Sequence, residues 1–502
     1  MRPSKPRADK RGRHSVGRDI IQAFMSASPK TASVSRHNLR QELPAWIPVF
    51  FLLFVFLLGG SSRSDIASLP LLRGGVLLFA FWAASGIKAE GWRRIRVPLV
   101  LLSLLTAWIA TQLIPLPADV WHGLAGRDTI ASIDQMLGQA DIARPISLTP
   151  SQTWNALLAM TVPFAALLVA ARTAAEDYPR LLMAIVVIAC LSGVLGFWQV
   201  ASGVGSAAYF YRITNSDSMV GLFANRNHHA VFLACAVIVA AMLLRDELMR
   251  RQQRGLVRGG LAFAAVTLTA FTALIGSRAG LAAGAVAFIV GYAIVVPAWR
   301  AREIGVRDAR RRPRATTPSL YGNWFVYLAP LLLTALLATA YLTSDRATGL
   351  RRFVGEDVAG DLRVRAWPTV QQMIETHGLF GAGFGSFPDV FKMFEPDNLL
   401  NPSYFNHAHN DWAELLVTGG LPFALVVAAA LIWFGRRVMA LGTRNLVKGY
   451  RGDIRLPVIT IVIILAIASA VDYPLRIPSL QAVAIMLIAF LCAAAPARSR
   501  PD

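Results

Sequence analysis

Residues 405–422, FNHAHNDWAELLVTGGLP, change character halfway along. His407, His409, Asn410, Asp411 and Glu414 crowd the first half, and an apolar run takes over that continues to about residue 434. A run of about 20 apolar residues is what a helix needs to cross about 30 Å of hydrocarbon. In lipid the backbone must satisfy its own polar groups, which makes such a run a helix. Ionisable groups at the lip of a span are costly, so each one there is a candidate functional residue.

The same apolar pattern recurs almost from end to end. Twelve stretches qualify, near 43–60, 66–87, 95–115, 151–171, 180–203, 225–244, 259–275, 279–297, 324–343, 412–434, 456–472 and 477–495. The chain is 55% hydrophobic and 16% charged, against about 25% charged in ordinary soluble domains. The expected fold class is an all-α polytopic membrane protein of about twelve transmembrane helices. A large outer loop, 344–411, is expected between helices nine and ten. The expected organisation is a basic disordered tail (1–42), six N-terminal helices (43–258), a core with the long loop (259–434) and a C-terminal part (435–502).

Fifty Lys and Arg against 29 Asp and Glu give a net charge of +21, which raises the question of nucleic acid. The distribution answers it. With the N-terminus inside, 36 of the 50 basic residues fall on inner segments. This is the asymmetry that orients helical membrane proteins, with basic loops held against anionic lipid; no nucleic-acid partner is expected. Both termini are then cytoplasmic. The three cysteines, Cys190, Cys235 and Cys492, lie inside proposed spans and read as core residues. No apolar core with a cleavage site follows the basic tail, so no removable signal peptide is expected.

Four outer-facing clusters could carry chemistry. In HAHND, His407 and His409 would face one way on a loop and diverge on a helix. Two histidines without a clear third ligand do not make a metal site, so neither a metal nor another cofactor is expected. A histidine that acts as a base or orients a hydroxyl suits neutral pH. In IGSRAGLAAG (275–284), Arg278 sits on an outer turn, against the inner bias of basic residues, beside a helix start that offers N–H groups to an anion. Snorkelling is its plain alternative. In the long loop, Arg363 and Arg365 precede Trp367, and arginine is suited to bidentate phosphate binding; each could instead pair with Asp357 or Asp361. In GLFANRNHHAVF (221–232), Arg226, Asn227 and His228 could line the same cavity, or the asparagines could cap a helix. The segment around Trp367 also carries Val364, Val370, Met373 and Ile374 at helical spacing, which predicts an amphipathic helix on the outer membrane-facing surface. GAGFGS (381–386) lacks the spacing and context of a dinucleotide loop; its glycines read as a turn.

In order and placement these clusters resemble the O-antigen ligase and polymerase superfamily of bacterial envelope proteins. GSRAG is similar to its Ser-Arg-x-Gly turn, RVRAWPTVQQMIETHGLFGAGFGSF to its Arg-x-x-x-Trp stretch followed by Gly-x-Gly, and HAHNDWAELLVTGGLP to its His-x-His-Asn stretch. RPISLTPSQT and DYPLRIPSLQ add weaker likeness. The family often has Gln where Glu414 stands and an acidic residue where Thr418 stands. The resemblance implies a GT-C-like architecture in the bacterial inner membrane. It implies metal-independent transfer of a glycan from undecaprenyl diphosphate to an acceptor hydroxyl, either lipid A-core (ligase) or a growing polysaccharide (polymerase). It also implies catalytic roles for His409, Arg278 and Arg363. Arg365, Arg226, Asn227, His407, Asn410 and Glu414 are the expected substrate contacts. A transporter without covalent chemistry is the competing class; against it, the polar groups gather at the outer ends and no halves match.

Overall fold

The computed structural model describes residues 36–250, 254–310, 362–400, 405–442 and 452–494, with backbone alone for 36–43 and 303–310. Residues 1–47 form one compact unit, described from residue 36 as the opening turns of the first helix, and residues 48–502 form the other. Besides two short helices, Ala118–His122 and Asp128–Met136, the helices are α1 (Arg36–Leu58), α2 (Leu69–Ala84), α3 (Ala89–Thr111), α4 (Pro150–Ala159), α5 (Thr161–Arg172), α6 (Tyr178–Ser202), α7 (Arg226–Leu248), α8 (Gly255–Leu274) and α9 (Arg278–Arg310). They continue with α10 (Leu362–His377), α11 (Phe387–Phe394), α12 (Asp411–Ala440), α13 (Arg455–Ala468) and α14 (Pro478–Ala493).

Eleven of the twelve expected stretches are helical, and the remaining one, 324–343, lies outside the described residues, as do Asp357 and Asp361. Six helices among the described residues are long and apolar enough to cross a membrane. Four shorter apolar ones cover the first two and last two expected spans. The remaining one, α7, is buried on all sides by α6, α8, α9 and α13. A helix that is apolar all round belongs in a core, and α7 is the axis of the largest hydrophobic cluster.

Outside the bundle, Pro115–Leu116 pairs antiparallel with Arg144–Pro145 and ties off the loop between α3 and α4. That loop docks on α10. Trp121 is buried, with the guanidinium groups of Arg127 and Arg144 over its ring. Arg127 donates to Ile146 O at 2.6 Å and lies 3.4 Å from His377 Nδ1.

The amphipathic helix expected around Trp367 is present as α10, and Val370 and Met373 are on its buried face as expected, whereas Val364 and Trp367 are not. Ala366, Val370, Met373 and His377 are buried against α11 and α12, while Val364 and Trp367 are exposed. Steps of four, three and four residues stay on one side of a helix, and Val364 and Trp367 fall off that line.

GAGFGS does make a turn, and the turn serves α12. At Gly420, followed by Pro422, α12 breaks, with φ 64° and ψ −162°. The carbonyls freed there find partners in this loop and in α3. Ala382 N–H donates to Val417 O at 2.9 Å and Gly383 N–H to Thr418 O at 3.0 Å. Trp108 Nε1 donates to Gly419 O at 2.6 Å, and Gln112 Nε2 to Thr418 O at 3.0 Å. Non-helical backbone at membrane depth survives where protein supplies its hydrogen bonds. A Cβ on Gly381 would lie 2.2 Å from Thr418 O, so only glycine fits this crossing.

Candidate functional site

Three chain segments meet at the N-terminal end of α12: the loop 405–410, the turn 469–477 between α13 and α14, and the start of α7. The first is shaped by α12 itself. Asn410 caps the helix, its side-chain oxygen accepting the Ala413 N–H at 3.1 Å. One turn in, Glu414 reaches back and accepts the Ala408 N–H at 2.8 Å and pairs with His407 Nδ1 at 3.1 Å. Between these two anchors stands His409 at φ 52°, the sole non-glycine with positive φ among the described residues. Such a conformation costs of order 1–3 kcal/mol and persists where surrounding contacts enforce it, often at functional sites.

The turn 469–477 supplies the charges. Its backbone docks on α12 through Asp411 N–H to Ser469 O at 2.7 Å. Arg476 donates through Nε to Asp411 Oδ1 at 2.6 Å and pairs through Nη1 with Glu414 Oε1 at 3.1 Å. Asp472 lies 3.4 Å from His409 Nδ1 through Oδ1 and accepts from Asn227 Nδ2 at 2.6 Å through Oδ2. His228 Nε2 stands at 3.7 Å from the same Oδ1, within ion-pair reach and beyond a hydrogen bond. Burial alone would push the Asp472 carboxyl up; the imidazoles of His228 and His409 outweigh it and hold it well below the usual carboxylate range. The Tyr473 ring lies among three imidazoles, with centroids 4.1 Å from His407, 5.2 Å from His409 and 4.8 Å from His228. Burial, with Asp472 adding to it, raises the Tyr473 phenol.

The start of α7 is fixed by Asn225, whose side chain accepts the Asn227 N–H at 2.8 Å. The start of α9 lies beside it: a Cβ on Gly280 would sit 2.3 Å from the Ala230 Cβ. Arg278, the first residue of α9, thus opens next to the turn of α7 that carries Asn227 and His228. Arg363, near the start of α10, reaches Val471 O at 3.5 Å, one residue from Asp472.

Not every expected contact belongs to this centre. Arg365 donates to Asn398 O at 2.5 Å and holds the 397–399 turn. Arg226 lies near the start of α7 with Nη1 3.4 Å from Ser218 Oγ, on the loop before that helix. His407 and Glu414 are buried and spend their polar atoms on one another, on Ala408, on Arg476 and, through His407 Nε2, on Ser62 Oγ at 3.3 Å. Their geometry is that of a frame for His409. The sequence reading did not single out Asp472, Tyr473 or Arg476 as site residues, and it placed Asp472 inside a span. α13 ends at Ala468, because Ser469 and the following turn leave the helix before Pro474. An acid and an arginine within five residues of two apolar runs were the available signal.

Among the described residues, no group of three His, Cys, Asp or Glu side chains is arranged to hold a metal ion. What the centre offers is an imidazole oriented by a carboxylate, with arginines on adjoining elements. A base of that kind takes a proton from a hydroxyl, and guanidinium groups meet charge that develops on phosphate oxygens. Residues 263–428 match the family described as O-antigen ligase. No curated protein matches the chain.

Proposed function

Because residues 263–428 match the family described as O-antigen ligase, we propose that this chain is an inverting glycosyltransferase of the bacterial inner membrane. It moves a glycan from undecaprenyl diphosphate to a hydroxyl of lipid A-core at the periplasmic face, with both termini cytoplasmic. The observation that supports this reading is the Asp472 carboxylate. It holds His409 Nδ1, and its neighbour Val471 is the residue whose carbonyl Arg363 reaches. Proton acceptor and phosphate-binding cation therefore adjoin one turn of chain.

In this mechanism Nδ1–H of His409 donates to Asp472, which leaves Nε2 as the base. The acceptor hydroxyl gives its proton to Nε2 as its oxygen attacks the anomeric carbon. The bond from that carbon to the diphosphate oxygen breaks on the opposite face, so configuration inverts, and undecaprenyl diphosphate departs with the electron pair. Arg363 and Arg278 meet the charge that gathers on the leaving diphosphate. Cations placed where charge develops, in a water-poor site, lower the barrier most, and a positioned base contributes about 10²–10⁴-fold. Glu414, His407 and Arg476 hold the loop on which His409 sits.

The test is substitution of His409, Arg278 or Arg363 by alanine, scored on membrane abundance and on the glycan profile. Normal abundance, lost attachment and accumulated lipid-linked glycan are expected. An unchanged profile would refute the assignment. Purified protein given lipid-linked repeat units with and without lipid A-core separates ligase from polymerase: chain growth without added acceptor would transfer the reading to polymerisation.

A further inference from the structure

One arginine lies outside the centre just described and within a span. Arg73 is the fifth residue of α2, about 6 Å below its outer end at 1.5 Å per residue. The outer end is identified by the loop that precedes α2, since Ser62 in that loop touches His407. Arg73 stands at the seam between two faces. Leu72 and Val76 are buried, whereas Leu71, Gly74 and Leu77 are exposed, and a Cβ on Gly74 would meet nothing within 4 Å.

Its hydrogen bonds account for one nitrogen. Nη2 donates to Asn155 Oδ1 at 2.6 Å and to Asn155 O at 3.2 Å. Among the described residues no carboxylate pairs with Arg73, and no acceptor meets Nε or Nη1, so three of its five N–H donors lack a protein partner. Asn155 belongs to α4, flanked by the exposed Trp154 and Leu158. Thr153, two residues away and so on the opposite side of that helix, is buried and donates to Phe384 O at 2.8 Å. Asn155 thus holds the guanidinium on the lipid-facing side of α4, with the glycine turn on the other.

A permanent cation at membrane depth needs a counter-charge. Nothing described supplies one, and the remaining donors are half-buried beside exposed apolar side chains at the level of the outer leaflet. The geometry points to a lateral binding site for a phosphate-bearing lipid, with Arg73 as the phosphate ligand, Asn155 as its support and the exposed apolar side chains along α2 and α4 as the bed for the acyl or prenyl chain. This site does not depend on the transfer reaction. Its ligand is either an ordinary phospholipid or the polyprenyl diphosphate on its way to the centre, and both present the same chemistry.

Photo-crosslinking of the full-length protein in nanodiscs tests the site. Three probes carry a diazirine near the headgroup: phosphatidic acid, a polyprenyl diphosphate and uncharged diacylglycerol. The expected result is labelling of residues 69–84 and 150–159 by the two phosphate probes, at least fivefold lower in Arg73→Gln and retained in Arg73→Lys. Diacylglycerol labelling should be the same in all three proteins. Stronger labelling by the polyprenyl probe would assign the site to the donor lipid, and equal labelling to bulk phospholipid. Phosphate-probe labelling of these peptides that Arg73→Gln leaves unchanged, in protein with unaltered melting, would overturn the proposal. So would Arg73→Lys as poor as Arg73→Gln. Lipid labelling is read without any transfer step, so failure here and failure of the proposed reaction are separate results.

Discussion

Substitution of Glu414 by alanine tests whether the loop that carries His409 is held as described. The Glu414 carboxylate is 1% exposed and meets three groups: the Ala408 N–H at 2.8 Å, His407 Nδ1 at 3.1 Å and Arg476 Nη1 at 3.1 Å. Removal of one member of a buried ion pair costs about 3–5 kcal/mol, because the other charge is left without compensation. Arg476 keeps Asp411, whose Oδ1 accepts its Nε at 2.6 Å. The loss therefore falls at the lower end, about 3 kcal/mol. Glutamine keeps one oxygen for Ala408 but turns an N–H₂ toward Arg476 or His407 and removes the same charge, so Glu414→Gln should lose about 1–3 kcal/mol, the cost of one unsatisfied buried group. Unfolding of purified protein by titration with a denaturing detergent reads both values, and glycan transfer is measured alongside. The alanine variant should also lose transfer at temperatures where it stays folded, because one of the two anchors that flank His409 at φ 52° is gone. An alanine variant as stable as the parent would refute the clamp.

Three further outcomes follow from other parts of the molecule. Asp472→Asn should leave abundance intact and lower transfer by roughly tenfold or more, since the imidazole loses its carboxylate; assay of lipid-linked donor consumption checks this. The folded Asp472 carboxyl is held below its ordinary value of about 3.9. Its stabilising contribution is therefore whole above about pH 4 and fades as pH falls through the folded value, so Asp472→Asn should flatten the acid limb of stability below pH 4. His377 shifts in the same direction: burial first, then Arg127, lowers its pKa from 6.5 to about 4. The unfolded chain binds the proton more readily between those values, so stability should fall as pH drops from 6.5 toward 4, by about 3 kcal/mol at most, and His377→Gln should remove that slope in a pH series of melting curves. Gly420→Ala should destabilise by about 1–3 kcal/mol or more, as the new Cβ would lie 2.6 Å from Gly381 N and 2.8 Å from Leu379 O; the same melting assay decides.

The helices and their polar ends could be read from the chain alone, because an apolar run in lipid has a single backbone solution and that solution is local. So could His409, Arg278 and Arg363 as candidates, since each is a polar group placed where polarity is costly. Tertiary structure alone decided which of these groups meet. Asp472 reaches His409 across 63 residues and Asn227 across 245, and no local pattern encodes either pairing. It also sorted the polar cluster by role: Asn410 caps a helix, Glu414 clamps a loop, and Arg365 turns away to Asn398. GAGFGS shows the same division. Its glycines announced a turn, but that the turn takes up the carbonyls freed at the Gly420 break depends on two segments some 35 residues apart in sequence being pressed together. Periodicity and hydropathy are set by near neighbours, whereas hydrogen bonds between distant segments exist only once the helices have packed.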